Sequence, residues 1–113
     1  MHELGLATSL FRLVVEEAER AHAHCVVSVR LLIGALSHVE PSSLKLAFAA
    51  ACAGTIADGA ELEIERMAAP AHCLSCGRDC QVDSHGAACP HCLAFPLVTS
   101  GGDALRLTRL EVR

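Results

Sequence analysis

Two sets of side chains in this 113-residue chain have types and spacings that can do chemistry. The first is Cys73-x2-Cys76 and Cys89-x2-Cys92, with twelve residues between the pairs. That is the spacing of two metal-binding knuckles closing one tetrahedral site, and four thiolates at about 2.3 Å suit zinc. With every position taken by sulfur, no place remains for water or substrate, so such a zinc is structural rather than hydrolytic. A pair of redox dithiols is the competing reading, and the thioredoxin-like βαβ context it needs is missing. Cys80, His72 and His91 stand beside the pairs. They read as a spare thiol on a short strand and two solvated neighbours, with exchange against a zinc ligand as the alternative. Cys25 and Cys52, set among apolar residues, read as small buried hydrophobes.

The second set is the opening MHE. The terminal amine of Met1, the His2 amide nitrogen and the His2 ring nitrogen nearer the backbone can bind one metal in fused five- and six-membered chelate rings. An alternative set exchanges the amine for the Glu3 amide. Deprotonating a backbone amide is worthwhile only for a metal that favours square-planar nitrogen ligation, which means nickel or copper rather than zinc. A fourth ligand can come from Glu3, from Glu40 or from another protein.

Composition narrows what surrounds these sites. The formal charge is −4, from nine Lys and Arg against thirteen Asp and Glu, and the chain has three Phe, no Trp and no Tyr. Neither a phosphate-binding surface nor a base-stacking platform is expected from that balance. Seven cysteines, an odd number, fit metal ligands and free thiols in a reducing compartment better than a disulfide framework. The uncharged stretch Leu46–Ala57 is far short of the roughly 20 residues of a membrane span. The amino terminus lacks a positive region and a small-residue cleavage site, so a cytosolic protein keeping its own first residues is expected.

The elements that must position the two sites follow from periodicity. Leu4, Ala7, Phe11, Val14, Ala18 and Ala21 recur at three- and four-residue spacings, predicting a helix of about five turns that ends between Ala21 and His24. Val26 to Ile33 is a β-branched, apolar strand closed by Gly34. A second helix follows Pro41, with Ser42 or Ser43 able to cap it, a stripe of Leu44, Ala47, Phe48 and Ala51, and Gly54 placed to end it. AELEIERM alternates as a strand with Glu61, Glu63 and Glu65 on a wet face. The closing DALRLTRLEVR alternates with a one-residue slip at Thr108-Arg109 that suggests a bulge, and Arg106 is placed to face the glutamates of the preceding strand.

Between those last two strands lies a segment rich in Cys, His, Gly and Pro, too poor in periodic apolar residues to fold by burial alone. A metal would supply that folding energy. The expected fold class is α+β, in the order αβαβ-insert-β: a three-stranded sheet with two helices on one face, plus an inserted small zinc-ribbon-like module. Residues 1–68 and 102–113 would form the α/β domain, and residues 69–101 the zinc-binding module.

MHE, IGALSHVEPSSLKLAF, GT and DGAELEI, then CLSC, CPHC and GDALRLTRLEV, in this order through essentially the whole chain, resemble the HypA/HybF family of hydrogenase nickel-incorporation proteins. The resemblance implies a cytoplasmic nickel metallochaperone with a structural zinc. It would work with the accessory GTPase HypB to deliver Ni(II) to the large subunit of [NiFe]-hydrogenase. Carried onto this chain, it makes His2 the principal nickel ligand, has Met1 and Glu3 contribute backbone nitrogens or a carboxylate, and places Glu40 near the nickel. Cys73, Cys76, Cys89 and Cys92 hold the zinc. Some family members place histidines just after their cysteine pairs; here Gly77 and Leu93 stand there. The rival, a zinc-ribbon adaptor for protein or nucleic acid, calls for basic loops and exposed aromatics, yet the insert offers Arg78 as its only Arg or Lys and Phe95 as its only aromatic. No nucleophile and base stand in a recognisable spacing, so an enzyme is not expected.

Overall fold

The computed structural model describes residues 2–84 and 86–113, with His2 described in its backbone alone. Helix α1, His2–Arg20, buries Ala7, Leu10, Val14 and Ala18. The buried stripe is rotated from the expected one: Leu10 replaces Phe11, which is half-buried, and Leu4 and Ala21 are exposed. Adjacent Leu10 and Phe11 both satisfy the helical spacing between Ala7 and Val14, so periodicity alone does not choose between them. The helix closes with the Ala23 amide donating to the Ala18 carbonyl and the His22 amide to Glu19. This is a Schellman ending, with His22 (φ 54°) at the left-handed position where glycine is usual.

Strand β1, Val26–Gly34, leads to helix α2, Pro41–Cys52. Pro41 takes the first helical position, where its missing N–H costs nothing, so the cap falls on Glu40 rather than on the expected Ser42 or Ser43. Both serines instead donate to the Glu40 carboxylate. Leu44, Phe48 and Cys52 form the buried side of α2, and α1 packs on α2. Gly54 (φ 76°) follows the helix end as expected.

Strands β2, Glu61–Met67, and β6, Leu105–Val112, flank β1 in a sheet of order β2-β1-β6. Because β1 lies between them, Arg106 does not face the β2 glutamates; Arg30 of β1 takes Glu63 instead, at 3.0 Å. The slip along β6 is visible in its half-buried residues, Leu107, Leu110 and Val112.

A second sheet, β4-β3-β5, is built by β3 (Ala69–His72), β4 (Asp79–Val82) and β5 (Val98–Thr99), with both partners antiparallel to β3. Ala69, Ala71 and Val82 of the insert are buried together with Leu36, which precedes it in the chain. Two glycines allow this packing. A Cβ on Gly34 would collide with the Gly102 carbonyl, and one on Gly102 would lie 2.7 Å from the Ala69 Cβ. The architecture is α+β, two helices with two small sheets. The chain divides into two compact units, one made of the chain up to Leu31 with Val39–Glu65 and Arg106–Arg113, the other of Leu32–His38 with Arg66–Leu105. No helix among the described residues is long and apolar enough to cross a membrane.

Candidate metal centres

The two cysteine pairs fold into turns with the same hydrogen bonds. In the first, the Cys73 amide donates to the Arg78 carbonyl and the Gly77 amide to the Cys73 carbonyl, at 3.0 and 2.9 Å. In the second, the Cys89 amide donates to Ala94 and the Leu93 amide to Cys89, at 2.9 and 2.8 Å. Each turn reverses through a left-handed residue directly after its second cysteine, Gly77 (φ 75°) and Leu93 (φ 66°). Each also aims a backbone amide at the sulfur of its first cysteine, Cys76 N–H at Cys73 and His91 N–H at Cys89.

These matched turns bring the four sulfurs within 4.8 Å of one another. Cys73 and Cys92 sulfurs are 3.5 Å apart, those of Cys76 and Cys89 3.8 Å. A tetrahedral zinc with bonds of about 2.3 Å needs sulfur–sulfur edges of about 3.8 Å, so the donors fit the ion in type, number and spacing. Cys73 and Cys89 are buried while Cys76 and Cys92 face solvent. The Cys76 amide, above all, holds the Cys73 thiol below its usual range, and the Cys92 and His91 amides pull Cys89 down to about 6. For Cys92 the Ala94 amide acts downward, but its bond to Cys73, desolvation and its bond to Cys89 together push it up. At both buried sulfurs the amide hydrogen bonds act toward the thiolate, the form that binds metal.

The neighbours have their own partners. His72 Nδ1 lies 2.8 Å from Asp79 Oδ1, its cross-strand mate in β3 and β4, and Arg78 reaches His91 Nδ1 at 3.4 Å across the two turns. Cys80 stands outside the cluster of four on β4, its thiol pushed up by desolvation and by Cys89, Cys73 and Cys76. Cys52 is buried, and burial with the Asp58 carboxylate pushes its thiol up to about 11.

At the amino terminus, Met1 and the side chain of His2 lie outside the described residues. Glu3 is half-buried in the first turn of α1, and its carboxylate accepts the Glu40 amide at 3.2 Å. Glu40 is exposed; the Ser42 hydroxyl, then the Ser43 amide at 2.7 Å, hold its carboxyl below the usual carboxylate range. Residues 37 positions apart in sequence are thereby joined. Glu3 and Glu40 are both expected near one site, but that the carboxylate of one braces the backbone of the other is not; its signal in the sequence is Pro41, which fixes Glu40 as a cap.

A family model described as hydrogenase/urease nickel incorporation, metallochaperone, HypA matches residues 1–112. The hydrogenase maturation factor HypA of Rhizobium leguminosarum bv. viciae is 40% identical over 112 residues, 99% of each chain. The hydrogenase maturation factor HybF of Salmonella typhimurium is 39% identical over the same share of each. Among solved structures, a HypA protein in solution superposes with a TM-score of 0.68 at 25% identity, covering 100% of this chain and 97% of that one. The Ni metallochaperone HypA from Helicobacter pylori shares the fold, with a TM-score of 0.66 at 24% identity over 97% of this chain and 96% of that one. Matched along 112 of its 113 residues, the chain belongs to the HypA family of hydrogenase/urease nickel-incorporation metallochaperones, proteins that carry metal and are not enzymes.

Proposed function

We propose that this chain carries Ni(II) at Met1-His2-Glu3 and, in the cytoplasm, hands it with the accessory GTPase HypB to the large subunit of [NiFe]-hydrogenase. The observation that carries the reading is the family match over residues 1–112, joined to the three nitrogens that an MHE terminus offers in one plane. The His2 amide falls in the first turn of α1, whose N–H groups have no carbonyl one turn back, so coordination there breaks no helical hydrogen bond. Glu3 ties that turn to the cap of α2, which keeps the anionic Glu40 carboxylate in the same neighbourhood for a divalent cargo. A ligand set at a chain end can be released one donor at a time to a thiolate-rich acceptor.

Cys73, Cys76, Cys89 and Cys92 are the zinc ligands in this account, and residues 69–101 the module they staple. Zinc, when bound, supplies folding energy and an inert four-sulfur anchor. The protein's part is the pair of matched turns that orient the sulfurs and keep Cys73 and Cys89 away from water.

Nickel content of the hydrogenase large subunit, measured in cells carrying His2→Ala in place of the wild-type chain, tests delivery. The expected result is a nickel-poor large subunit that excess nickel in the medium partly restores. Normal nickel content with His2→Ala would remove the terminus from the pathway.

A further inference from the structure

Strand β6 is an edge of the sheet β2-β1-β6, with β1 as its single strand neighbour. An edge strand leaves alternate backbone N–H and C=O groups pointing away from the sheet, where another extended segment can pair with them. Along β6 and its last flanking residue stand three exposed arginines, Arg106, Arg109 and Arg113. Among the described residues, none of the three guanidinium groups has a carboxylate partner, although the chain as a whole is acidic at −4. The one glutamate of the strand, Glu111, is held by the Ser28 hydroxyl at 3.1 Å, and Thr108 donates to the Arg30 carbonyl, so the polar groups between the arginines are turned back onto β1. On the opposite edge the charge is reversed: β2 exposes Glu61, Glu63 and Glu65, and Arg30 covers only Glu63.

A strand with unmet cations and half-buried Leu107, Leu110 and Val112 beside an open backbone edge offers three things at once. It offers ladder hydrogen bonds, shallow apolar contacts and charges waiting for acids. We propose that β6 is a docking edge for an acidic, extended polypeptide segment of a partner protein, which adds to the sheet as a fourth strand and places carboxylates against Arg106, Arg109 and Arg113. The complementarity of charge selects this occupant. Positively charged edges also deter self-association, but that role needs no apolar residues kept half open along the strand and no clearing of Glu111 from the arginines. The edge is separate from the nickel-binding reading and stands or falls without it.

The test uses the zinc-loaded full chain and a fluorescein-labelled eight-residue peptide of alternating Glu and Val. Two companions accompany it, one with Lys for Glu and one N-methylated at alternate backbone amides. Anisotropy should show binding of the acidic peptide only, weakened tenfold or more by N-methylation and by Arg106→Ala/Arg109→Ala, and retained by Arg106→Lys/Arg109→Lys. Amide chemical-shift changes should fall on Leu105–Val112 and on the strand beside it. Unchanged amide spectra outside β6 and unchanged zinc content show that the alanine variant is folded. Equal binding of the N-methylated peptide, or displacement by a single-stranded oligonucleotide at the same charge concentration, would reduce the edge to a plain anion site and overturn strand addition. So would absence of binding, shifts mapping elsewhere, or a salt-sensitive dimer in sedimentation that the β6 substitutions abolish, which would assign the edge to a second copy of this chain.

Discussion

The two cysteine turns differ at one informative place, and the difference can be turned into a measurement. Gly77 and Leu93 hold the same left-handed conformation after their pairs, at φ 75° and 66°. A left-handed conformation costs an L-residue roughly 1–2 kcal/mol, which glycine escapes. Glycine in turn gives the unfolded chain freedom worth about 0.4–1 kcal/mol. Leu93 is 79% exposed, so truncating it sacrifices little burial, and a Cβ on Gly77 would meet nothing within 4 Å, so steric clash does not confuse the reverse change. The balance is about 0.8 kcal/mol in favour of Leu93→Gly and about as much against Gly77→Leu. Since metal affinity in such a module is folding free energy, the two variants should differ in zinc affinity by about tenfold, Leu93→Gly being the tighter. Competition with a chromophoric chelator at fixed pH measures it. If Leu93→Gly bound zinc ten times more weakly than wild type, the equivalence of the two turns would be the wrong account, and the Leu93 side chain would be holding the site together.

Further outcomes follow from the same geometry. Gly102→Ala adds left-handed strain (φ 85°) to crowding against the Ala69 Cβ and Leu36 Cδ1 at 2.7 and 2.8 Å, about 2–5 kcal/mol together. Gly101→Ala meets open space and should cost only the strain, so denaturant unfolding followed at the β3–β5 sheet should separate the two. Burial and Asp58 raise the Cys52 thiol from 9.0 to about 11. Its contribution is then fully present below pH 9 and is lost as pH rises toward 11, because the unfolded thiol ionises first; Cys52→Ala should flatten the stability profile in that window. Removing zinc with a strong chelator should abolish the amide dispersion of β3, β4 and β5 and leave the helical far-UV signal of α1 and α2, 31 residues in all, nearly intact. Loss of both together would contradict a separately stapled module.

Much of this molecule was legible in its sequence, and the reasons differ by element. Helix α1, strand β1 and helix α2 carry apolar repeats with clear ends, and the spacing of the two CxxC pairs announces the cluster of four sulfurs that the fold brings together. The rotation of the α1 stripe was hidden by neighbouring Leu10 and Phe11, which a three-or-four spacing cannot rank. The cap of α2 was misplaced by weighing serine's preference over the constraint from Pro41, which sets the first helical position and so hands the cap to Glu40. Strand order was beyond local pattern: nothing in AELEIERM or DALRLTRLEVR announces that β1 lies between them, and so the partner of Glu63 is Arg30 rather than Arg106. The small core of the second unit depends on Leu36, far away in sequence, and on glycines at 34 and 102 whose role is the space they leave. Such a long-range closure has no periodic signature.

In the proposed function the first residues bind the cargo while the cysteines hold a separate structural ion. Nickel titration of the zinc-loaded protein, following the d–d absorption of planar nitrogen ligation, tests it most directly when wild type and His2→Ala are compared. One nickel per chain with that spectrum in wild type, lost in His2→Ala while zinc stays bound, is the predicted result; identical binding by the two proteins, or nickel entering only as zinc leaves, would contradict it.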